Sequence, residues 1–220
     1  MKKPNKDALA FSRHIHDWLT VYSSSLQSNS THTVKNYKDA MSLYLHYLTH
    51  VKGLDANTFT FTLLERSVIE EWILWLKNDR KCSPETCNNR LASIRAFIKY
   101  LSERDVSLMY LAYEAARIPR QKTLRKKVKG LSKNAVKALL KAPDTLTATG
   151  RRDLTLLIFM YATAVRIDEA LSMKIEHLHL HTAKPYATII GKGNKVRTLY
   201  LLPKVVAYLE KYIAEFHPMK

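Results

Sequence analysis

Tyr161-Ala162-Thr163-Ala164-Val165-Arg166-Ile167-Asp168-Glu169-Ala170-Leu171 sets one arginine between two helical stretches of core character. A guanidinium at such a junction needs a partner or a ligand, because a buried unpaired charge is costly. Glu169 lies three positions on, on the same helical face, and can hold Arg166 by a salt bridge. A structural Arg–Glu pair would explain those two residues alone. Further along, Ile190-Gly191-Lys192-Gly193-Asn194-Lys195-Val196-Arg197 supplies a second feature. Tyr186–Ile190 and Arg197–Leu202 are β-rich arms around a Gly-Lys-Gly-Asn turn, which is a hairpin pattern. Lys192 in that turn is placed to swing into a cleft.

The charge balance points to a polyanion. The formal net charge is +17. Residues 1–115 hold 15 Lys/Arg against 12 Asp/Glu, whereas residues 116–220 hold 21 against 7, net +3 and +14. Clustered cations gain affinity by displacing counterions from phosphates, so nucleic acid is the expected partner rather than a merely solvated basic surface. Cys82 and Cys87 lie near no Cys/His group at metal-ligand spacing, so two free thiols in a reducing compartment are expected. No metal or other cofactor is expected. His177, His179 and His181 alternate and read as one face of a surface strand. The N-terminus has no signal-peptide pattern, and no apolar run reaches the ~20 residues of a membrane span. A cytoplasmic protein, nucleoid-associated when bound to DNA, is the expectation.

Residues 1–116 read as a helical domain with no strand pattern. Helices are predicted over 8–24, from a Ser28-Asn29-Ser30 turn onward, over 64–78, over 84–102 and over 108–116. Their inward stripes include Phe11, Ile15, Trp18 and Tyr22, then Val34, Tyr37, Met41, Leu45 and Leu48, then Val68, Trp72, Trp75 and Leu76. Ser83-Pro84-Glu85 is a helix start: serine N-cap, proline at the first position, acid in the first turn. Leu91, Ile94, Ile98 and Leu101 are the buried stripe of that fourth helix. The polar faces of the second and fourth helices carry Thr31, Thr33, Lys35, Asn36 and Lys38, and Thr86, Asn88, Asn89, Arg90, Ser93 and Arg95. Such residues suit phosphates and base edges in a groove, and equally an ordinary solvated face.

Between Arg117 and Lys133 stand eight Lys/Arg and no acid. This stretch, bounded as 117–130, reads as a basic linker. Residues 131–220 form a second domain. Ser132 caps a helix ending near Ala142, Asp144–Gly150 is a loop, and an apolar helix over 152–163 is buried on most of its surface. A short helix over 167–173, the hairpin and a last helix from Pro203 to Phe216 follow.

Taken together, these stretches resemble the tyrosine recombinases of the phage-integrase family. Tyr161–Leu171 is similar to the family's Y-x-T-G-h-R-h-x-E-h signature, h being apolar, and Ile190–Arg197 to its I-x-G-K-G-x-K-x-R hairpin. Thr33-Val34-Lys35-Asn36-Tyr37 and Thr86-Cys87-Asn88-Asn89-Arg90-Leu91 resemble the family's core-binding domain. The resemblance implies a mainly α chain: a helical, SAM-like domain, then the first half of an α+β catalytic domain with a small sheet. It implies strand exchange through a 3′-phosphotyrosyl intermediate, without metal or ATP. Arg166 matches the arginine that clamps the scissile phosphate, Lys192 the lysine that protonates the 5′-hydroxyl leaving group, and Glu169 the acid that orients Arg166. Lys35, Asn36, Lys38, Asn88, Asn89, Arg90, Arg125, Lys126 and Lys127 are expected to contact double-stranded DNA. Lys195 and Arg197 are assigned to backbone phosphates or to hairpin packing.

Two departures stand out. Ala164 replaces the family's usual glycine, at a cost on the order of 1 kcal/mol if that position needs positive φ. The family's His-x-x-Arg and tyrosine nucleophile have no match before Lys220, and Tyr200, Tyr208 and Tyr212 come too early. A chain that ends before those motifs is expected to bind DNA, other recombinase protomers on it included, without cleaving it alone. It should also leave an exposed apolar patch on the helix at Leu154–Tyr161. The alternative reading is a non-catalytic DNA-binding protein that occupies recombination sites. An RNA-binding protein would instead need stacking aromatics on an exposed sheet, whereas the aromatics here fall on core stripes.

Overall fold

A computed structural model of the chain describes residues 3–27, 31–124, 129–191 and 193–218. The chain divides into two compact units, Met1–Lys126 and Lys127–Lys220.

The first unit is helical. Helix α1 (Lys6–Asp17) is capped by Asn5, whose Oδ1 accepts from the Ala8 N–H at 2.6 Å. The helix carries on through Gln27 in the wider π spacing rather than as the α-helix expected to residue 24. Helix α2 (Thr31–His46) likewise widens over Tyr47–Val51. In both stretches a threonine hydroxyl donates to the carbonyl four residues back, Thr20 to His16 and Thr49 to Leu45. Such back-bonding competes with the helical ladder and loosens it. The expected Ser28–Ser30 turn lies outside the described residues.

Helix α3 (Arg66–Asn78) buries Ile69, Trp72, Ile73 and Leu76, while Val68 and Trp75 are only half-buried. The inward face is therefore turned relative to the expected stripe. The reason is tertiary: Trp75 sits at the rim, its ring 5.3 Å from Tyr47 and under the Arg80 guanidinium. Helix α4 (Pro84–Ser102) starts where Ser83-Pro84 places it, with Ser83 Oγ accepting from the Thr86 N–H at 3.2 Å. It is the central helix, burying Leu91, Ile94, Phe97, Ile98 and Leu101 against its neighbours. Helix α5 (Met109–Arg117) packs on it. Cys82 and Cys87 are free thiols, the latter buried.

The second unit opens with α6 (Lys133–Lys141), capped by Ser132 as expected. Helix α7 (Ala148–Thr163) starts a turn earlier than the sequence pattern indicates. Thr147 caps it by accepting from the Gly150 N–H at 3.0 Å. Gly150 is needed there, because a Cβ would lie 1.8 Å from the Asp144 carbonyl oxygen. Only Gly150, Thr155 and Phe159 of α7 are buried, not most of its surface. Together with α8 (Ile167–Leu171) and α9 (Pro203–Phe216) it borders an open apolar cleft of about 550 Å³, lined by Leu156, Leu171, Met173 and Ile213 among others. The packed core of this unit joins Phe159 and Val165 to Ala187, Ile189, Val205 and Leu209.

The sheet is antiparallel, ordered β1 (Leu178–His179), β2 (Tyr186–Ile190), β3 (Val196–Tyr200). The hairpin register pairs Ile190 with Val196 and Tyr186 with Tyr200. The histidine trio does not share one strand face: only His179 is in β1, stacked on Tyr186, while His177 closes a 3₁₀ turn and His181 lies past the strand end. Among the described residues no helix is long and apolar enough to cross a membrane.

Candidate active site

Helix α7 ends at Ala164, which takes φ 52°, ψ 29°, the left-handed conformation that glycine adopts without a Cβ penalty. Its N–H donates to Met160 O at 2.9 Å, closing the helix. The chain then reverses through buried Val165 into extended Arg166, which stands at the N-terminus of α8. The tight reversal holds Arg166 at the surface of the unit, its side chain 76% exposed.

Glu169, three residues into the turn, is buried, its side chain 6% exposed. One carboxylate oxygen, Oε2, accepts the Arg166 backbone N–H at 2.9 Å, and Oε1 accepts Arg166 Nη1 at 3.1 Å. The remaining capacity is taken from β3: Arg197 donates Nη1 to Oε1 at 3.0 Å and Nη2 to Oε2 at 2.6 Å. The Arg197 fork first, and then the Arg166 N–H, hold the Glu169 carboxyl well below its ordinary range, at about 2. Glu169 raises the Arg197 guanidinium in turn. At neutral pH the cluster is one anion between two cations, with Arg166 open to solvent and to an anionic ligand. A hollow of about 240 Å³ opens beside Glu169, between α8 and β2.

Of the two parts expected for Arg197, backbone phosphates or hairpin packing, the geometry shows the second: its fork is spent on Glu169, 28 residues back along the chain. Lys195 is exposed on the hairpin. Lys192 lies outside the described residues, as do Arg125, Lys126 and Lys127. Gly191 is informative in their stead. Its N–H donates to Lys195 O at 2.8 Å, and a Cβ there would meet Arg197 Nη1 and Glu169 Oε1, each at 3.1 Å. The hairpin backbone thus lies directly over the ion cluster.

In the first unit, Asn36 of α2 and Asn89 and Arg90 of α4 come together. With Thr33, Thr86 and Ser93 they line a polar cleft of about 340 Å³. Arg90 Nη1 donates to the Asn36 carbonyl at 3.3 Å, a bond that uses one of the five guanidinium donors of a half-buried side chain. Lys35 and Lys38 are exposed on α2 without lining the cleft. Asn88 must be reassigned. It is 6% exposed, its Nδ2 donates to Gln121 O at 2.9 Å, and its Oδ1 accepts from the Gln121 N–H at 2.8 Å. Both ends of that amide are used to tie the segment after α5 onto α4. Arg95 has a similar part, donating to the carbonyls of Ala115, Ala116 and Ile118 at the end of α5. Sequence reading missed Gln121, since a backbone partner leaves no side-chain signature. Among the described residues no group of three or more His, Cys, Asp or Glu is placed to hold a metal ion.

Comparison with known proteins gives the same family over both units. Residues 15–105 match the phage integrase N-terminal SAM-like domain and residues 129–218 the phage integrase family. The tyrosine recombinase XerD of Listeria monocytogenes (strain F2365) is 33% identical over 190 residues, covering 86% of this chain and 60% of its own length. A putative integrase/recombinase, y4rD, of Sinorhizobium fredii is 28% identical, covering 86% of the chain and 68% of its own length. The chain therefore spans about 60% of the XerD relative. Among solved structures, the XerH site-specific recombinase bound to difH substrate, a pre-cleavage complex, aligns with TM-score 0.65 at 18% identity, over 100% of this chain and 74% of that one. The Tn1549 transposon integrase in complex with transposon right-end DNA aligns at 0.62 and 12% identity, over 94% and 66%. With the arginine turn, the glycine-lined hairpin and both domain matches in one order, the chain belongs to the phage-integrase family of tyrosine recombinases.

Proposed function

We propose that these residues are the DNA-gripping part of a site-specific recombinase, binding duplex DNA and holding the phosphate at which strands are exchanged. The observation that carries this reading is the Arg166–Glu169–Arg197 cluster. Glu169 fixes the Arg166 backbone and one edge of its guanidinium, while most of the side chain faces solvent. A phosphate approaching that exposed edge meets preorganised donors that need no rearrangement as charge builds on its non-bridging oxygens. The reaction of the family is attack of a tyrosine hydroxyl on the phosphodiester. The 3′-phosphate becomes esterified to the tyrosine and the 5′-oxygen leaves with a proton. Arg166 suits the charge-stabilising part and Lys192 the proton-donating part. In the helical unit, Asn36, Asn89 and Arg90 are the residues best set to meet the duplex, with Lys35 and Lys38 beside them. The basic stretch with Arg125, Lys126 and Lys127 adds sequence-independent affinity.

The test is duplex binding by the chain measured across salt. Affinity should fall steeply between about 50 and 200 mM salt, as it does when several phosphates are neutralised. Arg166→Ala should weaken binding without lowering the melting temperature of the fold. Absent or salt-insensitive binding would overturn the proposal.

A further inference from the structure

The Glu169 carboxylate offers about four acceptor sites, and the two arginines fill them. The two partners use it differently. Arg197 meets it with a bidentate fork, which fixes the plane of the carboxylate, and its own side chain is 38% exposed. Arg166 spends a single side-chain donor on it and keeps the other guanidinium donors for a ligand. Were the Arg197 fork missing, the carboxylate would keep two unfilled sites in a buried position. Arg166, which already donates Nη1 to that carboxylate, can fill them by rotating inward and closing its own fork on Glu169. Its outward donors would then be consumed. Gly191 adds the second element, because the hairpin backbone rests on this cluster and a side chain there would wedge between Arg197 and Glu169.

We propose that Arg197 is a positioning residue for Arg166: by occupying the Glu169 carboxylate it keeps the Arg166 guanidinium turned outward, and it fastens the hairpin to the arginine turn. The inference rests on the reading of Arg166 as a phosphate-binding arginine.

A double-mutant cycle on duplex-DNA affinity, using the whole chain, separates the possibilities. Arg197→Gln should weaken binding roughly tenfold, a coupling of the size that contacting residues show. In an Arg166→Ala background the same substitution should cost less than about twofold, because there is no longer a guanidinium to position. Equal loss in both backgrounds would mean that Arg197 grips the DNA directly and would overturn the inference, as would no loss at all. Arg197→Lys keeps the charge without the fork and should not restore wild-type affinity; full recovery would show that charge alone matters. Gly191→Ala, which removes no charge, should reproduce the loss through the wedge, and unchanged affinity there would count against the hairpin attachment.

A second readout needs no DNA. In the free chain, the side-chain NMR resonances of Arg166 should become more protected from solvent exchange in Arg197→Gln as that guanidinium closes on Glu169. Unchanged exchange would sink the inference even if DNA binds. If the wild-type chain failed to bind DNA while the Arg166 resonances shifted as expected, the phosphate-binding reading would fall and the positioning relationship would stand.

Discussion

Arg197 and Glu169 meet through two hydrogen bonds, 2.6 and 3.0 Å long, that join the third strand to the start of the short helix behind Arg166. The relationship makes the arginine turn and the hairpin one mechanical element. It also sets how the unit responds to acid. The Glu169 pKa is lowered from 4.5 to about 2 in the folded state, so the unfolded chain binds a proton there first. Stability from this group is complete above about pH 4.5 and is lost as pH falls towards 2. The melting temperature of Glu169→Gln should therefore lie below wild type at pH 6, with the gap narrowing as pH is lowered through that window. A gap that stayed constant down to pH 2.5 would show that the carboxylate's charge is not what holds the turn.

Ala164 occupies the left-handed region at φ 52°. Alanine there carries a Cβ against the following carbonyl, a strain of about 1 kcal/mol that glycine lacks. Ala164→Gly should raise the melting temperature of the second unit by several degrees, read by calorimetry. A fall would mean that the Cβ makes packing contacts worth more than the strain.

Asn88 and Asn89 are neighbours in sequence with opposite expected responses. Asn88→Ala leaves the backbone N–H and carbonyl of Gln121 without their partner and should destabilise the first unit by about 1–3 kcal/mol. Asn89→Ala, on the exposed side, should stay within about 0.5 kcal/mol. Urea unfolding of both variants checks this, and hydrogen exchange at Gln121 should speed up only in the first.

The polar cleft between α2 and α4 leads to a complementary expectation for binding. Alanine at Asn36, Asn89 or Arg90 should weaken duplex affinity severalfold, with melting temperatures nearly unchanged. Lys35→Ala and Lys38→Ala should mainly flatten the salt dependence, by about one unit of slope per lost phosphate contact. Binding curves at several salt concentrations distinguish the two behaviours.

The two units should not be equally stable. Among the described residues, 24 buried apolar side chains form the core of the first and 8 that of the second. Burial of apolar area is the main stabilising term, so the smaller core should open first. Amide hydrogen exchange should fade earliest in α6 and α8 and last in α4. Equal protection across both units would contradict this reading of the cores.

Much of this protein was legible as sequence. Ser83-Pro84 and Ser132 mark helix starts because capping is a local matter, settled within three residues. The Gly-Lys-Gly-Asn turn marks the hairpin for the same reason, and the three-residue spacing of Arg166 and Glu169 implied their contact before any fold was known. What the sequence could not determine was rotation and long-range partnership. One step along a helix turns a side chain by roughly 100°, so neighbours select which of Asn88 and Asn89 faces inward and which of Val68 and Ile69 is buried. Arg197 reads as one more cation in a basic hairpin. Only the tertiary structure brings it onto Glu169, because a buried carboxylate accepts whichever donors the packing delivers, and here the strand delivers the second arginine.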